Sequence, residues 1–178
     1  MSSCPRASST SAGRSTTGSL LLSRKSVPDN RTRAVAPAPS LTLAGARRVL
    51  EAGLAAAAEL GVAVCIAVTD RAGHLLSFAR MDGAALLSVS IAQDKAYTVA
   101  AFGGLPTHAW FDLIKDEPAL LHGIVKTDRL IVFAGGGPVL SDGVCVGAVG
   151  VSGGTAEQDR AVAEAGAAAL VQASDQGL

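Results

Sequence analysis

The feature that most constrains this chain is a run of 26 residues from Arg129 to Gly154, RLIVFAGGGPVLSDGVCVGAVGVSGG. Two apolar, β-branched runs, RLIVFA and VCVGAVGV, each end in a glycine cluster, and the second cluster leads into a helix signal at Thr155. The pattern predicts a strand, a turn bordering a pocket at the glycine cluster, a second strand, then a loop and a helix. In VCVGAVGV, Cys145, Gly147, Val149 and Val151 share one face, and Val144, Val146, Ala148 and Gly150 share the other. Neither face is polar, so this is expected to be a central strand. Its small residues predict the close approach of a helix, a partner or a ligand.

The helix after this run opens with TAEQ, a capping box from Thr155 to Gln158, and continues through an alanine-rich stretch to about Ala173. Upstream, Leu41 to Leu60 has helical spacing, with Thr42 or Ser40 as cap and Gly61 at the C-terminal stop. Val62 to Thr69 reads as a buried strand that returns through the DRAG turn into His74–Arg80. Ser88 to Phe102 is helical and is halted by Gly103 and Gly104. Thr107 is expected to cap a short helix, and Pro118 to begin another helical turn. Together these predict an α+β fold in which helices pack on an antiparallel sheet of about five strands.

The 178 residues suffice for one domain with a core of its own, and with 49% hydrophobic but only 3% aromatic residues that core is built from Ala, Val and Leu. Residues 1–40 hold six of the 15 basic residues and one of the 15 acidic ones, giving that segment a charge of +5 and the rest −5. A body of that sign without a basic run carries no nucleic-acid footprint. The first forty residues, rich in Ser, Thr, Arg and Pro, are expected to be a disordered extension or a targeting segment, with residues 41–174 forming the single domain. No run approaches the apolar length that a membrane span requires. The expected location is cytoplasmic, or organellar if residues 1–40 act as a transit peptide. Cys4, Cys65 and Cys145 have no metal-type spacing, and the latter two lie in apolar strand patterns that predict buried thiols.

The GGGPVLSDGVCVGAVGVSGG segment with its following QD, together with VTDRAGHLLSFARMDGA and AQDKAYTVAAF upstream, resembles the signature of the GlcG/HbpS-like family. That family includes haem-binding proteins and the C-terminal domain of PduO-type proteins. The resemblance extends from about Leu41 to Leu170 and implies a profilin-like α+β fold and dimer-based homo-oligomers. It also implies that Gly136, Gly137, Pro138, Ser152 and Gly153 form pocket or interface backbone. In haem-binding relatives the threonine of a Pro-Thr segment lies near the iron; Pro106-Thr107-His108 matches it here, so Thr107 and His108 are the candidate iron contacts.

Several residues carry two readings. Arg80, at a strand end in the RMDGA segment, can clamp a carboxylate bidentately or shape its own turn. Lys95, between Ala92 and Ala96 on an apolar helix, can bind an anion or exchange protons, or it can lay its stem along the helix with the ammonium in water. The amides of Ser152 to Thr155, Gly153 and Gly154 among them, can hold an anion at a helix N-terminus or form a plain capped turn. Other motifs are excluded by missing partners. Gly150 to Gly154 satisfies GxSxG, but no histidine follows His122. The Gly135–Pro138 cluster lacks a following Gly-Lys-Ser/Thr. His108 and Asp112 stand four apart without a third ligand for zinc.

Two functions remain open. One is a haem or tetrapyrrole binding protein, with Arg80 and the Ser152–Thr155 amides near propionates and Thr107 and His108 near the iron. The other is a lyase or isomerase for a carboxylate-bearing or aromatic metabolite, with Arg80 anchoring the substrate and Lys95, His108 or Asp82 moving protons.

Overall fold

The computed structural model describes residues 34–174. The extension expected over residues 1–40 lies outside them as far as residue 33, as does Cys4. Among the described residues no helix is long and apolar enough to cross a membrane.

The chain opens with helix α1 (Leu43–Glu59), whose cap is the Thr42 hydroxyl accepting from the Gly45 amide at 3.2 Å. Strands β1 (Cys65–Asp70) and β2 (Leu75–Arg80) form the expected antiparallel hairpin around the DRAG turn. Helix α2 (Ser88–Ala101) follows, then a 3-10 turn (Thr107–Ala109), α3 (Trp110–Ile114), α4 (Pro118–Gly123) and a second 3-10 turn (Ile124–Lys126). Strands β3 (Gly136–Ser141) and β4 (Val144–Ser152) lead into α5 (Ala156–Ser174).

The sheet has four antiparallel strands in the order β2-β1-β4-β3, so the fold is α+β as expected but one strand short. The missing strand is the RLIVFA run. There Arg129 takes a left-handed φ of 64°, and the Thr98 hydroxyl donates to Arg129 O at 2.9 Å and accepts from Ile131 N at 3.0 Å. Backbone groups that a ladder would need are thus committed to α2. The strand begins instead in the glycine cluster, where a turn was expected, and Gly136 to Pro138 are ladder residues paired with β4. Pro138 is tolerated because β3 is an edge strand. The turn of this hairpin is Asp142-Gly143, with φ of 49° and 74°, the two positive values that a tight two-residue hairpin demands.

Alternation on β1 divides the molecule into three layers. Ile66 and Val68 face the main core with Val149, Val151, Val49 and Val162, between the sheet and the α1/α5 pair. Cys65 and Ala67 face a second core of Ala84, Ala92 and Ala96 under α2. Each fully buried valine contributes about 1.5–3 kcal/mol. Strand β4 is central, as its apolar faces predicted, and α2 crosses it at Gly150. A Cβ there would sit 2.5 Å from Ala96 N and closer still to Ala92 O, so glycine sets the helix height above the sheet.

Candidate functional site

At the β3 edge the strand, α5 and the segment before α3 enclose a cleft of about 250 Å³ lined by Pro106, His108, Gly136, Gly137, Pro138, Arg160, Ala163, Glu164 and Ala167. Its floor is strand backbone with almost no side chain above it. The place where a Gly137 Cβ would stand has nothing within 4 Å. One wall is α5, which turns Ala163 and Ala167 inward, with Arg160 held at the rim by Glu164 (Nε to Oε1, 2.7 Å). The other wall is Pro106 and His108, whose ring is half-buried. The cleft therefore offers an apolar slot with an imidazole on one side and a guanidinium on the other.

Thr107 positions this wall. It is fully buried, and its hydroxyl accepts from the Gly136 amide at 2.8 Å and lies 3.5 Å from Gly136 O. It therefore does not cap the following helix as expected. The hydroxyl stitches the 3-10 turn to the start of β3, and it does not line the cleft. A Cβ on Gly136 would fall 2.6 Å from the Thr107 methyl, so the two residues fit only as a pair.

Lys95 lies behind the same strand end. It is entirely buried, and its ammonium donates to Val151 O at 2.7 Å and to Asp159 Oδ2 at 2.9 Å, with the Phe133 ring centroid 4.8 Å away. Burial lowers the Lys95 pKa, and the hydrogen bond and charge of Asp159 pull it partly back. Neither the stem-in-water reading nor an ammonium open to a ligand describes it, because helix α5 supplies a carboxylate where solvent was expected. Asp159 also accepts from the Gly154 amide through Oδ1 at 2.9 Å, and the Thr155 amide donates to Gln158 Oε1 at 2.9 Å. Two of the amides expected to receive an external anion, those of Gly154 and Thr155, are thus occupied by the chain's own acceptors. Ser152, Gly153 and Gly154 belong to this capped turn rather than to the cleft.

Arg80 lies on β2, at the opposite edge of the sheet from the cleft. Its guanidinium donates to Ala84 O from Nε at 3.1 Å and from Nη2 at 2.6 Å, shaping the turn that carries exposed Asp82. Three strand spacings, about 14 Å, separate the two edges, so one small ligand does not meet Arg80 and His108 together. Likewise Lys95, His108 and Asp82 are not brought into one site. Of the predicted residues the structure gathers His108, Gly136, Gly137 and Pro138, with Thr107 immediately behind them. Sequence reasoning missed Arg160, Ala163, Glu164 and Ala167. Their i, i+3, i+4, i+7 spacing marks one face of α5, but only the packing shows which face meets β3.

Cys65 is buried, and burial pushes its thiol pKa up while Arg80 pulls it down. Cys145 is partly buried, with its thiol 3.3 Å from Gly147 O. Among the described residues no group of three His, Cys, Asp or Glu side chains could hold a metal ion.

Comparison with known proteins accords with this architecture. The family model described as haem-degrading protein HbpS-like matches residues 41–168, nearly the whole described body. The chain belongs to the HbpS-like family. Within it, an uncharacterized 15.0 kDa protein from the dhaT-dhaS intergenic region of Citrobacter freundii is 42% identical over 127 residues, covering 70% of this chain and 88% of that protein. The solved structure of Klebsiella pneumoniae ORFY superposes with a TM-score of 0.72 at 34% identity, covering 78% of this chain and 96% of ORFY. The PduOC:heme complex superposes with a TM-score of 0.66 at 30% identity, covering 73% of this chain and 94% of that one.

Proposed function

We propose that this HbpS-like chain binds haem, or a related flat tetrapyrrole, in the cleft between β3 and α5. The observation that carries the reading is the cleft itself: a slot floored by Gly136-Gly137-Pro138, with His108 on one wall and Arg160 on the other. A planar apolar macrocycle fits against strand backbone whose one side chain is the Pro138 ring. His108 offers a ring nitrogen to an iron atom, and Arg160 a donor to a propionate. The Thr107 hydroxyl is spent on Gly136, so its part is to hold His108 in place. Bound haem would supply a redox-active iron centre, held by His108 and Arg160.

At about 250 Å³ the cleft is smaller than a site that encloses a drug-sized molecule, so part of the macrocycle stands outside it. A second copy of the chain covers that part in this reading, which accords with the exposed Phe102, Phe111 and Leu113 nearby in the sequence.

The test is haemin titration of the full chain, followed in the Soret region and alongside light scattering after size-exclusion chromatography. A saturable stoichiometric shift that His108→Ala weakens tenfold or more supports the reading. A linear, unsaturable response, or one that His108→Ala and Arg160→Ala leave unchanged, overturns it.

A further inference from the structure

A second cavity, about 500 Å³ in volume, opens between α2 and the β1–β2 hairpin, and nothing in the haem reading uses it. Its polar lining is Thr69, His74, Ser90, Gln93, Asp94 and Arg129. Two independent features mark it as a built site. First, Thr69 is only 2% exposed, yet among the described residues its hydroxyl has no hydrogen-bond partner. A buried orphan hydroxyl in a cavity wall is a group prepared for a ligand atom or a water. Second, Arg129 is held in a left-handed backbone conformation, φ 64°, by the paired hydrogen bonds of Thr98. Its guanidinium lies 3.8 Å from the Tyr97 ring centroid and donates through Nε to Asp94 Oδ1 at 2.9 Å. Backbone strain of this kind persists only where the surroundings impose it, and here the result is an immobilised cation.

The charges of the lining specify the ligand. Arg129 uses Nε on Asp94 and, among the described residues, has both terminal nitrogens free of hydrogen-bond partners, while Asp94 has Oδ2 free. Positive and negative groups thus stand side by side, each with hydrogen-bonding atoms to spare. Gln93 donates its amide nitrogen to Val89 O and leaves its carbonyl oxygen to accept. His74 is tied through Nδ1 to Asp70, which removes that carboxylate from competition. A simple carboxylate would meet Arg129 but would also face Asp94. A molecule with an ammonium beside its carboxylate satisfies both.

We propose that this cavity is a binding site for a small zwitterion, a free α-amino acid. Its carboxylate is taken by the Arg129 terminal nitrogens, and its three ammonium hydrogens by Asp94 Oδ2, the Gln93 carbonyl and the Thr69 hydroxyl oxygen. The site lies away from the β3 cleft and stands whether or not haem binds.

Calorimetric titration of the full chain with L-alanine, L-serine and L-glutamine tests it, with L-lactate as control, since lactate differs from alanine only by a hydroxyl in place of the ammonium. At least one amino acid should bind saturably, and lactate at least tenfold more weakly than alanine. Arg129→Gln and Asp94→Asn should each reduce affinity tenfold or more. Thr69→Val should weaken binding without lowering the melting temperature, since it removes an unpaired hydroxyl from a buried site; that readout separates ligand contact from a folding defect. Absence of saturable binding with all three amino acids, lactate binding as well as alanine, or undiminished affinity in Arg129→Gln and Thr69→Val would each overturn the proposal.

Discussion

Removing the Asp159 carboxylate should damage this fold more than any comparable surface change. Asp159→Ala deletes the 2.9 Å partner of a fully buried ammonium and also the acceptor of the Gly154 amide. Stranding one member of a buried ion pair costs about 3–5 kcal/mol. The lost amide acceptor adds about 1 kcal/mol, since Gly154 can turn partly to water. Against a total stability of about 5–15 kcal/mol, that is about a quarter of the whole or more. At about 2–4 °C per kcal/mol for a body of this size, the melting temperature should fall by roughly 8–24 °C. Urea unfolding followed by circular dichroism gives the number directly.

The pH dependence provides a sharper check. Burial already depresses the Lys95 pKa below its ordinary 10.5, and without Asp159 it falls further. Between the folded and unfolded pKa values the unfolded chain binds more protons, so stability rises with pH there. The deficit of Asp159→Ala relative to the native chain should therefore shrink as pH is raised from about 7 to about 10. The double variant Lys95→Met/Asp159→Leu should recover most of the loss, because an apolar pair of similar volume needs no desolvation. A cost below about 1 kcal/mol, well short of the buried-pair range, with no narrowing at alkaline pH would refute the argument.

Two further outcomes follow from the packing. Gly150→Ala places a methyl against Ala92 O and Ala96 N, backbone atoms that move only with the whole of α2, so a loss of about 3 kcal/mol or more is expected in the same urea assay. Native-like stability in that variant would mean that α2 rides higher over β4. At the hairpin, burial tends to raise the Asp70 pKa but is outweighed by hydrogen bonds from the His74 amide, the His74 ring and the Ala72 amide, which hold it below the ordinary 3.8. Its contribution is present above the unfolded value and is lost as pH falls through the folded one, so Asp70→Asn should cost about 1 kcal/mol at neutral pH and flatten the acid limb of the stability curve. An unchanged acid limb would count against it.

Local rules carried much of the fold. The Thr42 cap, the capping box at Thr155, the DRAG hairpin and the α2 boundaries were all legible, because each depends on groups within a few residues of one another. The Asp142-Gly143 turn was equally legible in principle; the adjacent triple glycine drew the expected turn to the wrong place. The site was read less well. His108 and Gly136 to Pro138 were named from the family resemblance, while the α5 wall of the cleft was not.

What the sequence determined by itself was therefore the α+β order of elements, the central placement of VCVGAVGV and the need for close approach at its glycines. Periodicity and residue size are intrinsic to a segment and act wherever it is placed. Only the tertiary structure decided that RLIVFA would stay out of the sheet, that Thr107 would bind Gly136 instead of capping a helix, and that Lys95 would be buried against Asp159, 64 positions away. In each case a polar group had two chemically adequate partners. The choice between them depended on which one the packing of α2, β3 and α5 brought within hydrogen-bonding distance.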